Sequence, residues 1–308
     1  MVTNDSSLSL PPIGFGTVHL DGAAGVETMT SAIQTGYRLI DTAYNYENEG
    51  AVGVALRDSG VPREELTVTS KLPGRFHKFD LARPRIEESL YRLSVDYLDL
   101  LLIHWPNPNQ DLYVEAWQAL IDARDRGLVR HIGVSNFLPE HMERLEKETG
   151  ELPAVNQVEL HPYFPQQELV EWHDARGIIT EAWSPLSNGR GLVEEPTLVE
   201  IGQRHGVGGG EVALAWHHAR GIVPIPRSTK PERQKSNLNA VNIELSAEEI
   251  AAITALGRHD GRIKNQDPAV YEEFEGFSSE SNVFLLGPFI RPDNFYKVTP
   301  FKPRDKVL

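Results

Sequence analysis

The chain has 308 residues and a mass of 34.4 kDa, with 40% hydrophobic and 24% charged residues. This ordinary globular composition excludes a wholly disordered polymer and, at roughly 100–200 residues per domain, allows two domains or one large α/β barrel. The formal net charge of −14 opposes binding to nucleic acid or an anionic membrane, and the lack of cysteine excludes disulfide scaffolds, thiolate zinc sites, Fe–S clusters and a cysteine nucleophile. The first ten residues are polar and carry no apolar leader core, and no apolar run nears the roughly 18 residues of a membrane span, so a cytoplasmic protein without a membrane partner is expected.

Short, nearly continuous apolar runs occur at 13–18, 37–43, 66–72, 97–104, 129–134, 154–160, 178–183 and 222–225. Such runs suit strands buried on both faces of a parallel sheet. Helical patterns lie between them. Ile86, Leu90 and Leu93 form one apolar stripe, and Val114, Trp117 and Ile121 another. Asp111 is the expected N-cap of the second, and Gly127 follows its end. Pro139, Pro165 and Pro196 stand where further helices begin. Gly208, Gly209 and Gly210 read as a break between helices, and Thr229-x-x-Glu232 and Ser246-x-x-Glu249 as capping boxes. Eight strands alternating with helices predict a (β/α)8 TIM barrel over 1–261 with a C-terminal extension over 262–308. A doubly wound open sheet is the alternative, but no strand is followed by Gly-x-Gly-x-x-Gly opening a helix.

In a barrel, chemistry sits at the C-terminal strand ends. Asp41, Lys71, His104, Ser135, Asn136, Gln157, Ser184 and Arg227 stand there. A lysine ammonium beside a tyrosine favours the phenolate, a carboxylate keeps that lysine charged, and a histidine can share a proton with a substrate oxygen. Asp41, Lys71, His104 and Tyr46, on the loop after Asp41, form such a set. Taken singly, Asp41 with Lys71 reads as a structural ion pair, His104 as a core histidine and Tyr46 as a rim residue. Their joint placement at successive strand ends points to proton delivery to an oxygen that gains charge as hydride arrives at carbon.

These motifs resemble the aldo-keto reductase family, from about residue 13 to about 256. They are Gly14-Phe15-Gly16-Thr17, the segment from Asp41 through Tyr46 to Glu49, Lys71, Ile103-His104-Trp105-Pro106, Gly133-Val134-Ser135-Asn136-Phe137, Asn156-Gln157, Trp183-Ser184-Pro185-Leu186 and Ile225-Pro226-Arg227-Ser228. The resemblance implies a (β/α)8 barrel, NADPH as cofactor without a Rossmann domain, and a commonly monomeric state. It makes Tyr46 the general acid, Asp41 and Lys71 its tuners, and His104 the residue that orients a carbonyl; Trp105 would join Tyr46 and His104 around the substrate. Histidine rather than glutamate at position 104 argues for carbonyl reduction.

The same resemblance implies the cofactor contacts. Trp183 offers a flat platform for the nicotinamide. Ser135, Asn136 and Gln157 can bond its carboxamide. Thr17, Val18 and Asp41 belong to the same end, and Ser184, Leu186 and Asn188 lie on a loop able to drape over the pyrophosphate. Residues 227–235 carry four basic and one acidic group, a local +3, and open a helix, which suits a 2′-phosphate held by Arg227, Ser228, Thr229 and Arg233, with Asn237 reaching the adenine. A solvated basic face is the plainer reading of that run. Val18 stands where many family members have tryptophan, opening one wall. Tyr44, Phe76 and Phe79 lie on candidate loops, with core packing as the equal alternative.

Residues 262–308 hold six of the eleven phenylalanines, namely Phe274, Phe277, Phe284, Phe289, Phe295 and Phe301. So aromatic a tail must pack on something; partial cover of the substrate pocket is expected, with wrapping of the barrel exterior or dimerisation as alternatives. Two other functions compete with the reductase: a barrel aldolase or isomerase using Lys71 as a Schiff base, and a non-catalytic NADPH-binding regulatory subunit. No metal site is expected, because His217 and His218 are neighbours on a helix and point about 100° apart.

Overall fold

The computed structural model describes residues 2–3, 8–264 and 266–273. Eight parallel strands form one sheet: β1 (Phe15–Gly16), β2 (Leu39–Asp41), β3 (Thr67–Leu72), β4 (Leu98–Ile103), β5 (Val129–Ser135), β6 (Val155–Glu159), β7 (Ile179–Trp183) and β8 (Val223–Ile225). Each pairs with its neighbours in chain order. The sheet closes on itself where Gly14 N–H donates to Pro224 O at 2.9 Å and Gly16 N–H to Pro226 O at 3.0 Å. Closure settles the topology in favour of the barrel. It also crowds a glycine: a Cβ on Gly14 would stand 2.5 Å from Ile225 Cδ1 and 3.0 Å from Leu39 Cδ2, so a side chain there would have to displace these two.

Period two along the strands builds two apolar layers. Leu100 and Leu102 of β4 point into the barrel with Leu39, Val155, Ile179 and Val223. Leu101 and Ile103 point outward into the shell of helices. Leu8 and Leu10 join the inner layer; Leu10 belongs to an antiparallel hairpin, Val2–Thr3 with Ser9–Leu10, that precedes the barrel.

The helices are α1 (Gly22–Thr35), α2 (Glu49–Asp58), α3 (Phe79–Leu93), α4 (Tyr113–Asp125), α5 (Pro139–Thr149), α6 (Gln167–Asp174), α7 (Pro196–His205), α8 (Gly209–Ala219), α9 (Pro231–Asn239) and α10 (Ala247–Thr254). The α3 stripe Ile86, Leu90 and Leu93 is buried, as is Trp117 of α4. Pro139 and Pro196 open their helices, and Ser246 and Glu249 form the expected capping box. Two caps differ. Helix α4 is preceded by Leu112, while Asp111 takes a left-handed φ of 55° and turns its carboxylate to Arg144. Helix α9 starts at Pro231, whose fixed φ suits the first helical position, so Lys230 is the cap residue and Ser228 Oγ, not Thr229, accepts from Lys230 N–H at 3.1 Å.

Three buried histidines give the fold an acid limit. Burial pushes His77 down to about 4, His173 to about 3 and His217 to about 4. Unfolded histidines titrate near 6.5, so below that pH the unfolded chain takes up more protons than the folded one. Their contribution is complete above about 6.5 and is lost as pH falls toward 3–4. Glu181, raised by burial to about 7, acts with the opposite sign, gaining stability as pH falls from 7 toward its unfolded value. Three groups outweigh one. Chemical denaturation should show these four groups lowering stability by about 3 kcal/mol between pH 7 and pH 5; a flat profile would contradict the assignment.

Candidate active site

Asp41 ends β2 and Lys71 lies near the end of β3, and both side chains are buried. Lys71 Nζ donates to both Asp41 carboxylate oxygens at 2.7 Å and to Thr42 O at 2.9 Å. Burial works against the ammonium, but Asp41, Tyr46 and Glu181 overcome it, and the Lys71 pKa is raised. A lysine so held stays charged and is no amine nucleophile, which removes the support for a Schiff-base aldolase. Across the barrel, Gln157 Nε2 of β6 donates to Asp41 Oδ2 and to Glu181 Oε2 of β7, each at 2.8 Å. Thr17 braces the same corner, its Oγ1 donating to Asp41 O at 2.9 Å.

Tyr46 closes a one-turn 3-10 segment after β2. Its ring centroid is 5.3 Å from Lys71 Nζ and 6.0 Å from the His104 ring, which it meets edge-on at 76°. Burial raises the phenol pKa; the Lys71 ammonium pulls it down without cancelling that rise. The pull expected from the lysine is therefore present but is outweighed by desolvation, and Tyr46 is a protonated phenol at neutral pH. The arrangement supplies a proton donor, with a fixed cation ready to stabilise the phenolate that donation leaves.

These groups face a cleft of about 620 Å³ at the C-terminal strand ends. Tyr46, His104 and Trp105 line it beside Thr17, Val18 and Asp41. Ser135, Asn136 and Gln157 contribute from β5, the turn after it and β6, and Trp183, Ser184, Leu186 and Asn188 from the end of β7 and its loop. Arg227 and Arg233 complete the rim. Lys71 sits behind Asp41 and does not line the cleft. Ser228, Thr229 and Asn237 are not brought to its surface either: the first two are exposed or partly exposed, and Asn237 is buried within α9. Tyr44, Phe76 and Phe79 pack rather than line the mouth, Tyr44 meeting Phe76 edge-on at 5.5 Å.

Asn136 couples the parts. Its Nδ2 donates to His104 O at 3.0 Å and to Ser135 Oγ at 3.0 Å, while its Oδ1 accepts from Trp183 Nε1 at 2.8 Å. The indole plane is thus fixed relative to the histidine. Asn136 and Ser184 both sit at left-handed φ, 62° and 49°, at the strand ends that turn into the cleft. Strain of that kind is held where the surroundings demand it.

The cleft fits a dinucleotide. Trp183 presents a held aromatic face. Gly189 and Gly191, at φ 78° and 74°, leave open space where a Cβ would be, so backbone can approach a phosphate closely. Ser187 Oγ is buried without a hydrogen-bond partner. Arg233 lies in the first turn of α9, whose N-terminus favours an anion, and Arg227 is held by donating to Val18 O at 2.7 Å.

Several lining groups went unnoticed in the sequence. His19, Ile263, Lys264, Gln266, Tyr271 and Glu273 all reach the cleft. Tyr271 packs on Trp105 with ring centroids 4.5 Å apart. Glu273 Oε1 lies 2.7 Å from His104 Nδ1 and accepts from Asn45 Nδ2 at 2.7 Å, while its Oε2 accepts from Gly74 N–H at 2.7 Å. The aromatic count of the tail drew attention away from Tyr271 and the acid pair Glu272-Glu273, which carry no local signal that they dock. The tail phenylalanines, from Phe274 onward, lie outside the described residues, as does most of the expected cover. Among the described residues no group of histidines and carboxylates could hold a metal ion, and no helix is long and apolar enough to cross a membrane.

Comparison with known proteins agrees with this geometry. Residues 12–258 match the model of the aldo/keto reductase family. The chain is 50% identical over 260 residues to 2,5-diketo-D-gluconic acid reductase B of a Corynebacterium species, covering 84% of this chain and 93% of the relative. It is 39% identical over 265 residues to methylglyoxal reductase DkgA of Yersinia pestis, covering 85% and 94%. The crystal structure of a mutant Gox0644 in complex with NADPH superposes with a TM-score of 0.83 at 37% identity, covering 88% of this chain and 98% of that one.

Proposed function

The chain belongs to the aldo/keto reductase family, and from that premise we propose that it reduces small dicarbonyls and keto sugars, with Tyr46 as the proton donor. It is an NADP-dependent oxidoreductase acting on carbonyl groups. The observation that carries the proposal is the convergence of Asp41, Lys71, Tyr46 and His104 at one barrel mouth beside a fixed indole. The substrate class follows the two relatives named for a diketo acid and for methylglyoxal. Val18 adds to it, because it lines the same cleft as Tyr46 and its small side chain leaves that wall open.

In this reading His104 and Tyr46 hold the carbonyl oxygen, and Trp105 packs against the rest of the substrate. When bound, NADPH supplies the hydride that the carbonyl carbon receives. Tyr46 gives its phenolic proton to the oxygen as negative charge develops there. Lys71 stabilises the resulting phenolate, Asp41 keeps that lysine charged, and the phenolate regains a proton from solvent. Trp183, Ser135, Asn136 and Gln157 would hold the nicotinamide end and its carboxamide, with Thr17, Val18, Ser184, Leu186 and Asn188 around them. Arg227 and Arg233 would hold the phosphates. An intact proton-donor set favours turnover over a purely binding role. The proposal extends to a monomeric cytoplasmic enzyme in which Ile263, Lys264, Gln266, Tyr271 and Glu273 form one wall of the mouth.

The cofactor assignment has a direct test. Arg233→Ala should raise the KM for NADPH about 10–100-fold, the value of a lost charge-assisted hydrogen bond, while leaving the KM for NADH and kcat within about threefold. An equal loss for both cofactors would remove Arg233 from the 2′-phosphate. For the function itself, consumption of NADPH by methylglyoxal or a keto sugar is expected, and silence with every small carbonyl while NADPH binds would overturn it.

A further inference from the structure

We propose that Glu273 is a positioning residue of the reduction: it keeps a proton on His104 Nδ1, so that Nε2 offers a proton to the substrate oxygen only in the imidazolium form, and thereby sets the pH range of carbonyl reduction. This rests on the reading that His104 contacts the substrate oxygen.

The geometry is specific. The Glu273 side chain is 7% exposed and belongs to a segment that docks at the mouth, with Tyr271 packed at a tilt on Trp105 and Glu272 Oε1 accepting from Asn109 N–H at 2.6 Å. Its carboxylate meets three loops at once, through Asn45, Gly74 and His104. The last contact, 2.7 Å to Nδ1, is an ion-pair distance without hydrogen-bond alignment, and at that range the carboxylate charge favours a proton on Nδ1 over a bare lone pair. Nδ1 is shut off from solvent, which leaves Nε2 as the nitrogen open to the cleft. Neutral His104 then carries a lone pair on Nε2, and a carbonyl oxygen, itself only an acceptor, cannot bond to it. Imidazolium can donate from both nitrogens. The neutral form suits an alcohol, whose O–H can donate to Nε2, so the same contact biases direction with pH.

Tyr46 faces His104 from the turn after β2, with Lys71 and Asp41 behind it. Arg75 and His77 face Glu273 from the loop after β3. His77, pushed down to about 4 by burial, is neutral at working pH. Burial works against the Glu273 carboxylate, yet His104, Gly74 N–H and Asn45 hold it below its ordinary range, so it is charged throughout that range.

The test is Glu273→Gln, which keeps an acceptor for Nδ1–H and removes the charge. The alkaline limb of kcat/KM for reduction should move down by about one to two pH units, with turnover on the acid plateau within about threefold of wild type. Glu273→Asp, which keeps the charge, should restore most of the limb. Because Glu273 also raises the Tyr46 phenol, His104 is to be titrated by NMR in the Tyr46→Phe background, with and without Glu273→Gln. A lower His104 pKa in the double variant supports the assignment. Superimposable pH profiles, or an unmoved His104 titration, would overturn it. The titration needs no turnover, so a failure of the reductase reading and a failure of this one are told apart.

Discussion

Tyr46→Phe is expected to lower kcat for carbonyl reduction about 10²–10⁴-fold, the usual contribution of a positioned general acid, while NADPH affinity stays within about twofold. The phenyl ring keeps the edge-on packing against His104 and loses only the hydroxyl. In the wild-type chain burial keeps that hydroxyl protonated at neutral pH, and Lys71 stands ready to stabilise the phenolate. The variant has the cation without the acid. Steady-state kinetics alongside a fluorescence titration of NADPH separates the two effects. A parallel loss of binding and turnover would mean that Tyr46 shapes the cofactor site rather than the proton transfer.

The second large effect is structural and catalytic together. Lys71→Met should destabilise the fold by about 3–5 kcal/mol, because it strands the buried Asp41 carboxylate without its cation. Thr42 O would lose its donor as well. Removing both partners, in Lys71→Met with Asp41→Leu, should recover most of that stability, since a well-packed apolar pair often replaces a buried ion pair at little cost. Turnover should not recover in the double variant, because nothing then stabilises the phenolate. Denaturant midpoints and kcat for the two variants measure this. Recovery of turnover together with stability would reduce the pair to a structural ion pair, the plainer reading of these two residues.

The eight strands were legible because parallel barrel strands are apolar on both faces; seven of the runs from 13–18 to 222–225 contain their strand, and the run 129–134 stops one residue short of the polar Ser135 that ends β5. Asp41, Lys71 and His104 were legible for the same reason: polar side chains ending apolar runs stand out. Helix starts were less so. Asp111 has the right chemistry for a cap, but its left-handed backbone and its pairing with Arg144 are tertiary facts with no local signal. Glu273 lies 169 residues along the chain from His104, and nothing in a stretch crowded with aromatic residues distinguishes an acid that docks from one that is solvated. Glu181 was hidden in another way. It sits among apolar neighbours on β7, and its partner Gln157 is on the adjacent strand, so only the register of β6 against β7 brings them together.

The central claim is that this barrel transfers hydride from NADPH to a carbonyl with Tyr46 supplying the proton. Its most direct test is loss of NADPH absorbance with a panel of small aldehydes, diketones and keto sugars, run on the wild-type chain and on Tyr46→Phe side by side. Turnover by the wild type, faster with NADPH than with NADH, and near silence from a variant that still binds NADPH is the expected result. Wild-type rates from Tyr46→Phe would contradict the claim.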